Sequence, residues 1–185
     1  HVEKGDQHRV AYVPIPSVGR YASGSISQVM LVEPAGARNE DFARVVEHLQ
    51  RQRNPSSSGC GKYVAWLGRG DWEATWRFRK PSTVFTSVSP VILPGFDSHS
   101  YAKAEKLAIK SLTFAGIYPL VEDFALTRAP HWRGSYHASS YAVSDRLTPK
   151  SRYHMRVVFR EKIKGPLFLG DGRYRGLGLF AASGS

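Results

Sequence analysis

The sequence predicts an α+β fold: a ferredoxin-like (RRM-like) β-α-β-β-α-β sandwich with an added N-terminal hairpin and a C-terminal glycine-rich loop. Three observations carry that prediction. Apolar residues recur at helical spacing twice, as Phe42, Val45, Val46, Leu49 and as Ala104, Leu107, Ala108, Leu112, Ala115. Residues 152–160 alternate at strand spacing instead, with Tyr153, Met155, Val157 and Phe159 on one face and His154, Arg156, Val158 and Arg160 on the other. Short apolar runs bounded by glycine and proline lie around and between the two helices. No repeat of solenoid period is present.

The elements follow in order. Residues 10–16 are extended and punctuated by Pro14 and Pro16, which suits an edge strand. Residues 19–24 form a turn, and residues 28–32 a short apolar strand. Asn39 offers an N-cap to the first helix, whose polar side carries Arg44, His48 and Arg51. Residues 54–61 break the pattern and are expected to form a flexible loop. Residues 63–67 and 72–78 read as strands around a Gly68-Arg-Gly70 turn, and residues 84–93 as another strand, interrupted by Pro90. The second helix starts near Ser98 or Ser100 and stops at Gly116, a typical residue just past a helix end. Lys103, Lys106 and Lys110 form a separate stripe on it, either a solvated face or a contact for RNA. Residues 120–126 read as a strand. Residues 128–141 are irregular and hold His131, Trp132, Arg133, Tyr136, His137 and Tyr141.

The 185 residues suit a single domain, and 42% hydrophobic content is enough for a core. The chain begins without methionine and reads as part of a longer protein or as a processed product. Its polar start shows no signal peptide, and no apolar run approaches the ~20 residues that span a bilayer. The net charge is +11, from 26 Lys+Arg against 15 Asp+Glu. A basic domain of this size most often meets nucleic acid, because neutralising phosphates releases condensed counterions. A ribosomal-type basic surface ranks second and an anionic membrane third. The one cysteine, Cys60, forbids an internal disulfide and a cysteine-built zinc site, and fits a reducing cytoplasm. It sits in a loose Ser-Gly loop and is a poor nucleophile.

The C-terminal run Gly165-Pro-Leu-Phe-Leu-Gly-Asp-Gly-Arg-Tyr-Arg-Gly-Leu-Gly-Leu-Phe180 stands apart. Glycines let backbone N–H groups approach an anion without a Cβ in the way. Arg173 and Arg175 can hold phosphate, and Tyr174 can stack on a base. It is neither a Walker loop, lacking Gly-Lys-Ser/Thr, nor a dinucleotide fingerprint, since no βαβ unit follows. From the residues alone, an anion cradle formed with Gly170, Gly172 and Gly176 and a simple strand-turn-strand are equally good readings.

This segment resembles the C-terminal glycine-rich loop of the CRISPR repeat-associated (RAMP) superfamily. It is most similar to the second half of the fused Cas-five/Cas-six protein of type I-G (formerly I-U) systems. Other stretches resemble the same family in the same order. They are Tyr12-Val-Pro-Ile-Pro-Ser-Val-Gly19, Val29-Met-Leu-Val-Glu-Pro34, Val88-Ser-Pro-Val-Ile-Leu-Pro-Gly-Phe-Asp97, Lys103-Ala-Glu-Lys-Leu107, Ala129-Pro-His-Trp132 with Gly134-Ser-Tyr-His137, and residues 154–161. The resemblance implies a domain that binds the repeat hairpin of precursor CRISPR RNA, cuts beside it and stays bound among the other Cascade subunits. The missing N-terminal half would hold the RNA's other end.

Such cleavage is metal-independent and needs no cofactor. A base takes the 2′-OH proton, the oxygen attacks the adjacent phosphate, and an acid protonates the leaving 5′ oxygen. Products are a 2′,3′-cyclic phosphate and a 5′-OH. Histidine suits both proton transfers. His137 falls in the family's Gly-Ser-x-His pattern and is the first candidate. His48, on the first helix, and His154, beside Arg156 and Arg160, follow. His131 and His137 flank Trp132 and Arg133, where binding residues concentrate. His8 ranks lower, and His1 and His99 read as surface. Expected RNA contacts are Arg173, Tyr174, Arg175, Arg133, Arg156, the lysine stripe and the loop glycines. One departure matters: family members tend to carry His-Ala-Asp-Gly where this chain has Arg20-Tyr21-Ala22-Ser23-Gly24. Tyr21 is at best a substitute there, so a non-cleaving RNA-binding subunit stays open. An unrelated basic RNA-binding domain would explain the charge but not the ordered matches.

Overall fold

A computed structural model describes residues 11–19, 22, 26–32, 40–51 and 73–184. The α+β class is observed, and every strand pairing is antiparallel. The elements are β1 (Ala11–Pro16), β2 (Ile26–Val32), α1 (Glu40–Arg51), α2 (Glu73–Arg79), β3 (Ser82–Ser87), β4 (Val91–Ile92), α3 (Tyr101–Phe114), β5 (Val121–Thr127), β6 (Arg152–Ile163), β7 (Leu167–Phe168) and β8 (Leu179–Ala182). Strands β1 and β2 form the N-terminal hairpin, with Val13 opposite Met30. Its prolines sit on a two-stranded sheet, where a missing ladder donor is tolerated.

The main sheet is organised on β6. Val157 of β6 faces Phe124 of β5 and Phe85 of β3; Phe85 also faces Ala182 of β8, and β7 pairs with β8. Strands β3, β5, β6 and β8 therefore lie in the order β5-β6-β3-β8, the arrangement of a ferredoxin-like sheet. Helix α3 makes the first crossover. Between β6 and β8 the second helix of the pattern is replaced by β7 and a 3₁₀ turn at Arg173–Arg175. The sheet is thus built from elements later in the chain than the periodicity implies.

Strands β3 and β4 are two ends of one line along β6. Thr86 pairs with Arg156 and Val91 with Tyr153, so five steps on one strand meet three on the other. The two extra residues form a bulge around Val88, Ser89 and Pro90, where proline has no N–H to donate.

The faces of the sheet are covered differently. On one, Ala104, Ala108 and Leu112 of α3 pack on Phe85, Met155, Val157, Phe159 and Phe180. Phe85 and Phe159 meet edge to face at 6.0 Å. Helix α3 starts at an N-cap, with Ser100 accepting from the Lys103 N–H. It ends in a Schellman motif: Ile117 N–H bonds to Leu112 O, Gly116 N–H to Thr113 O, and Gly116 has φ 71°. On the opposite face, Val13 and Ile15 of β1 and Phe78 of α2 pack on Val88, Leu179 and Ala181. Alternation along β8 sends its side chains to both cores in turn.

Two expectations change. Residues 73–79, expected as part of a strand, are helix α2. A strand would align Ala74, Trp76 and Phe78 on one buried face. Instead Phe78 is buried, while Trp76 is 57% exposed beneath the Lys80 ammonium. Trp72 and Trp76 are four apart, a spacing helices share, so the alternation was ambiguous. His154, expected on the outer basic face of β6, is fully buried. It does lie on the side away from α3, but that side is roofed by residues 128–141. The flexible loop at 54–61, the strand at 63–67, Asn39 and Tyr21 lie outside the described residues.

Candidate functional site

The face of the sheet opposite α3 gathers polar side chains around the bulge. Val88 O accepts from Ser135 Oγ at 2.7 Å and from Tyr141 Oη at 3.2 Å. Ser89 Oγ accepts from Leu179 N–H and donates to Gly176 O. Pro90 O accepts from Gly178 N–H. The bulge thereby ties residues 128–141 and the glycine-rich segment to one place. Bulges suit this work because they free backbone groups from the ladder.

His154 sits beneath that loop. Its Nε2 lies 2.9 Å from Tyr136 O and its Nδ1 3.2 Å from Ser87 Oγ. A carbonyl only accepts, so Nε2 carries the proton and Nδ1 accepts from the Ser87 hydroxyl. That hydroxyl in turn accepts from Met155 N–H at 2.9 Å. Burial holds the His154 pKa below 6.5; the bonds to Tyr136 and Ser87 oppose the shift and His137 adds to it. The imidazole is a neutral pin under the loop, and both nitrogens are engaged within the protein.

Above it stand the groups able to meet a ligand. His131 meets the His154 ring edge-on at 6.4 Å, and burial, then His154 and Arg156, hold its pKa below 6.5. His137 is exposed, and its Nδ1 lies 2.8 Å from Ser139 Oγ. Ser139 thus occupies Nδ1, and Nε2 is the nitrogen left for chemistry. When Nδ1–H donates to Ser139, Nε2 carries a base's lone pair; when Nδ1 accepts from Ser139 N–H, Nε2–H is a donor. Tyr136 is 59% exposed, and its ring meets Tyr141 at 6.3 Å and 72°. Burial pushes the Tyr141 hydroxyl pKa up, keeping it a neutral donor to Val88 O. Arg156, on β6 beside His154, reaches Asp123 at 4.0 Å, a long and exposed pairing. Trp132 is fixed by Nε1–H to Thr86 O, with the Arg77 guanidinium 5.7 Å from its ring centre. Arg133 is exposed, and its carbonyl accepts from Gly19 N–H at the end of the hairpin. Together these give proton-transfer groups, cations and aromatic rings on one loop.

The other expected residues are arranged differently. His48 is exposed on α1 and takes no place in the contacts around His154 described above. Lys103, Lys106 and Lys110 are exposed on α3, on the opposite side of the sheet from His154. Lys103 Nζ donates to Ser98 Oγ, and Lys110 lies 5.4 Å from the Phe114 ring centre.

In the glycine-rich segment, glycine is required by the protein's own backbone. A Cβ at Gly178 (φ 68°) would lie 1.9 Å from Leu169 O, at Gly170 (φ 85°) 2.4 Å from Ile92 O, and at Gly176 2.4 Å from Pro14 Cδ. The N–H groups of Asp171, Arg173, Arg175, Leu177 and Gly178 all bond to carbonyls within the protein. Strand-turn-strand geometry thus accounts for these glycines. Gly172 similarly closes on Leu177 and Ile92. The side chains project differently: Arg173 stacks over Tyr174 at 4.7 Å, Tyr174 is half-buried against the second core, and Arg175 is exposed.

One cluster escaped the sequence reading. Asp97 is fully buried, accepts from Tyr153 Oη and His99 N–H, and lies 3.5 Å from Arg128. Burial alone would raise its pKa; the bonds from Tyr153, His99 and Ser151, with Arg128, hold it below 3.8. Asp97 ends the Pro-Gly-Phe-Asp motif, and its side-chain partners Arg128 and Tyr153 are too distant in sequence to be paired with it by spacing. The cluster fixes the start of α3, where Ser98 and His99 have positive φ. Among the described residues no group of three or more His, Cys, Asp or Glu could hold a metal ion, and no helix is long and apolar enough to cross a membrane.

The fold is of the antiparallel α+β class, with a basic, histidine- and tyrosine-bearing loop over the face opposite α3. The family model described as CRISPR-associated protein, GSU0054 family, matches residues 1–182, so the chain belongs to that family. No curated protein and no solved structure matches it.

Proposed function

We propose that this protein binds the repeat hairpin of precursor CRISPR RNA, cleaves beside it without a metal, and stays bound within Cascade. The observation that supports this best is the cluster over β6: His137 and His131 exposed on one loop, Arg133 beside them, and Arg156 beneath. In this reading His137 Nε2 takes the 2′-OH proton, and the oxygen attacks the adjacent phosphorus. The 5′ oxygen leaves as an alcohol on receiving a proton, leaving a 2′,3′-cyclic phosphate. Arg133 and Arg156 neutralise the phosphate. His154 acts through the loop it pins, with no contact to substrate. Arg173, Tyr174 and Arg175 extend the RNA contact past the hairpin β1–β2. Lys103, Lys106 and Lys110, across the sheet, serve the RNA's other turns or a neighbouring subunit.

The substituted loop at 20–24 favours a second reading, a subunit that holds the hairpin without cutting it. Incubation with end-labelled repeat RNA in EDTA separates the two. Site-specific cutting that His137→Ala abolishes, with binding retained, supports the nuclease. Tight hairpin binding with no product supports the holding subunit. Equal affinity for repeat and unrelated RNA overturns both.

A further inference from the structure

The most exposed large hydrophobic side chain on the loop, Tyr136, makes no side-chain hydrogen bond that holds it among the described residues. Its hydrogen bonds there are main-chain ones: the Tyr136 carbonyl accepts from His154 Nε2, and the Tyr136 N–H donates to Tyr141 Oη at 3.3 Å. Its phenol ring is 59% exposed, although burying it would remove substantial apolar area from water. Tyr141 meets it at 72°, so no parallel ring stacks on it. Tyr141 is itself anchored to Val88 O, and the backbone below is pinned by buried His154. An aromatic ring is thus presented to solvent on a fixed base, next in sequence to exposed His137 and near Arg133.

We infer that Tyr136 is a stacking platform for one unpaired nucleobase. The inference rests on the proposed RNA binding and adds the residue that reads a single-stranded position. Any base offers a π-face, so the platform selects an unpaired nucleotide over a paired one, whose faces are already stacked.

The test measures binding of full-length protein to repeat RNA carrying 2-aminopurine at each unpaired position flanking the hairpin in turn. One position should be quenched by wild-type protein and bright with Tyr136→Ala. That variant should lose affinity by about 5- to 100-fold, the usual loss for one stacked base, while Tyr136→Phe stays within about twofold. An abasic nucleotide at the quenched position should erase the difference between wild type and Tyr136→Ala. Circular dichroism should match wild type in both variants, since the main-chain bonds remain. Equal affinity of Tyr136→Ala and wild type, with no responsive position, overturns the platform. Wild-type protein that does not prefer repeat RNA overturns the parent reading; stacking is then judged on an unrelated single strand, where equal binding by Tyr136→Ala overturns it as well.

Discussion

The two faces of the main sheet are held by different forces. The α3 face is apolar and interlocked: Phe85, Leu112, Met155, Val157 and Phe159 are almost completely buried there. The opposite face has a smaller apolar core around Val13, Phe78 and Leu179, and next to it a hydrogen-bonded network of Ser87, Ser89, Ser135, Tyr141 and His154. Apolar burial is non-directional and supplies stability. Hydrogen bonds add less net free energy but fix geometry. The difference teaches that this protein keeps most of its apolar core on one side and its hydrogen-bonded polar network on the other.

The comparison can be broken most severely from the α3 side. Phe159→Ala should cost about 3–5 kcal/mol in urea unfolding, and a loss under 1 kcal/mol would show that the α3 face is not the dominant core. Gly178→Ala should cost at least about 2 kcal/mol, because the new Cβ meets a carbonyl at a positive φ. Gly116→Ala shares the positive φ but faces open space, so about 1 kcal/mol is expected by the same measurement. Equal losses at the two glycines would remove close packing as the reason for the glycine-rich segment.

On the polar face the expected effects are smaller and more local. His154→Ala leaves Tyr136 O without the His154 donor and the Ser87 hydroxyl without an acceptor for its proton, and should cost about 1–3 kcal/mol. Hydrogen exchange should rise in residues 128–141 while α3 stays protected; uniform loss of protection would contradict the division. The pH dependence has a definite sign. His154 and His131 have folded pKa values below the ordinary 6.5, so the unfolded chain binds protons first as pH falls. Their contribution to stability is complete above about pH 6.5 and declines below it, and thermal melts between pH 7.5 and 5 should show lower Tm at each acid step, less so in His154→Gln. Smallest of all, replacing Lys103, Lys106 and Lys110 together with Ala should change stability by under about 0.5 kcal/mol. A larger change would mean the stripe supports the fold.

Local pattern made some of this molecule legible in advance. Helix α3 was largely readable, because its N-cap serine, alanine–leucine stripe and terminal glycine all act within a few residues; of that stripe Ala104, Ala108 and Leu112 are buried, while Ala115 is the exposed C-cap. Strand β6 was readable from alternation, and the irregular 128–141 stretch from its lack of any period. His137 was singled out by motif, and it stands exposed on the loop above His154. His154 was identified by type but misplaced: alternation gives its face, and only tertiary structure shows that a loop roofs that face. Helix α2 was misread because a seven-residue segment fits both periods, and burial of Phe78 decides between them. The Asp97–Tyr153–Arg128 cluster joins three segments with no shared pattern. The glycines were legible as a segment, but their meaning lay in Leu169, Ile92 and Pro14, contacts that no local pattern encodes.

The bulge at Val88–Pro90 also sets when the site can exist. Ser89 bonds to Leu179 across 90 positions of chain, and Ser87 contacts His154 across 67. Contacts so far apart in sequence form late in folding, after local helices and turns. Ordering of the loop above His154 therefore waits on completion of the sheet, because its anchors at Ser87, Val88 and Ser89 bond to positions far along the chain.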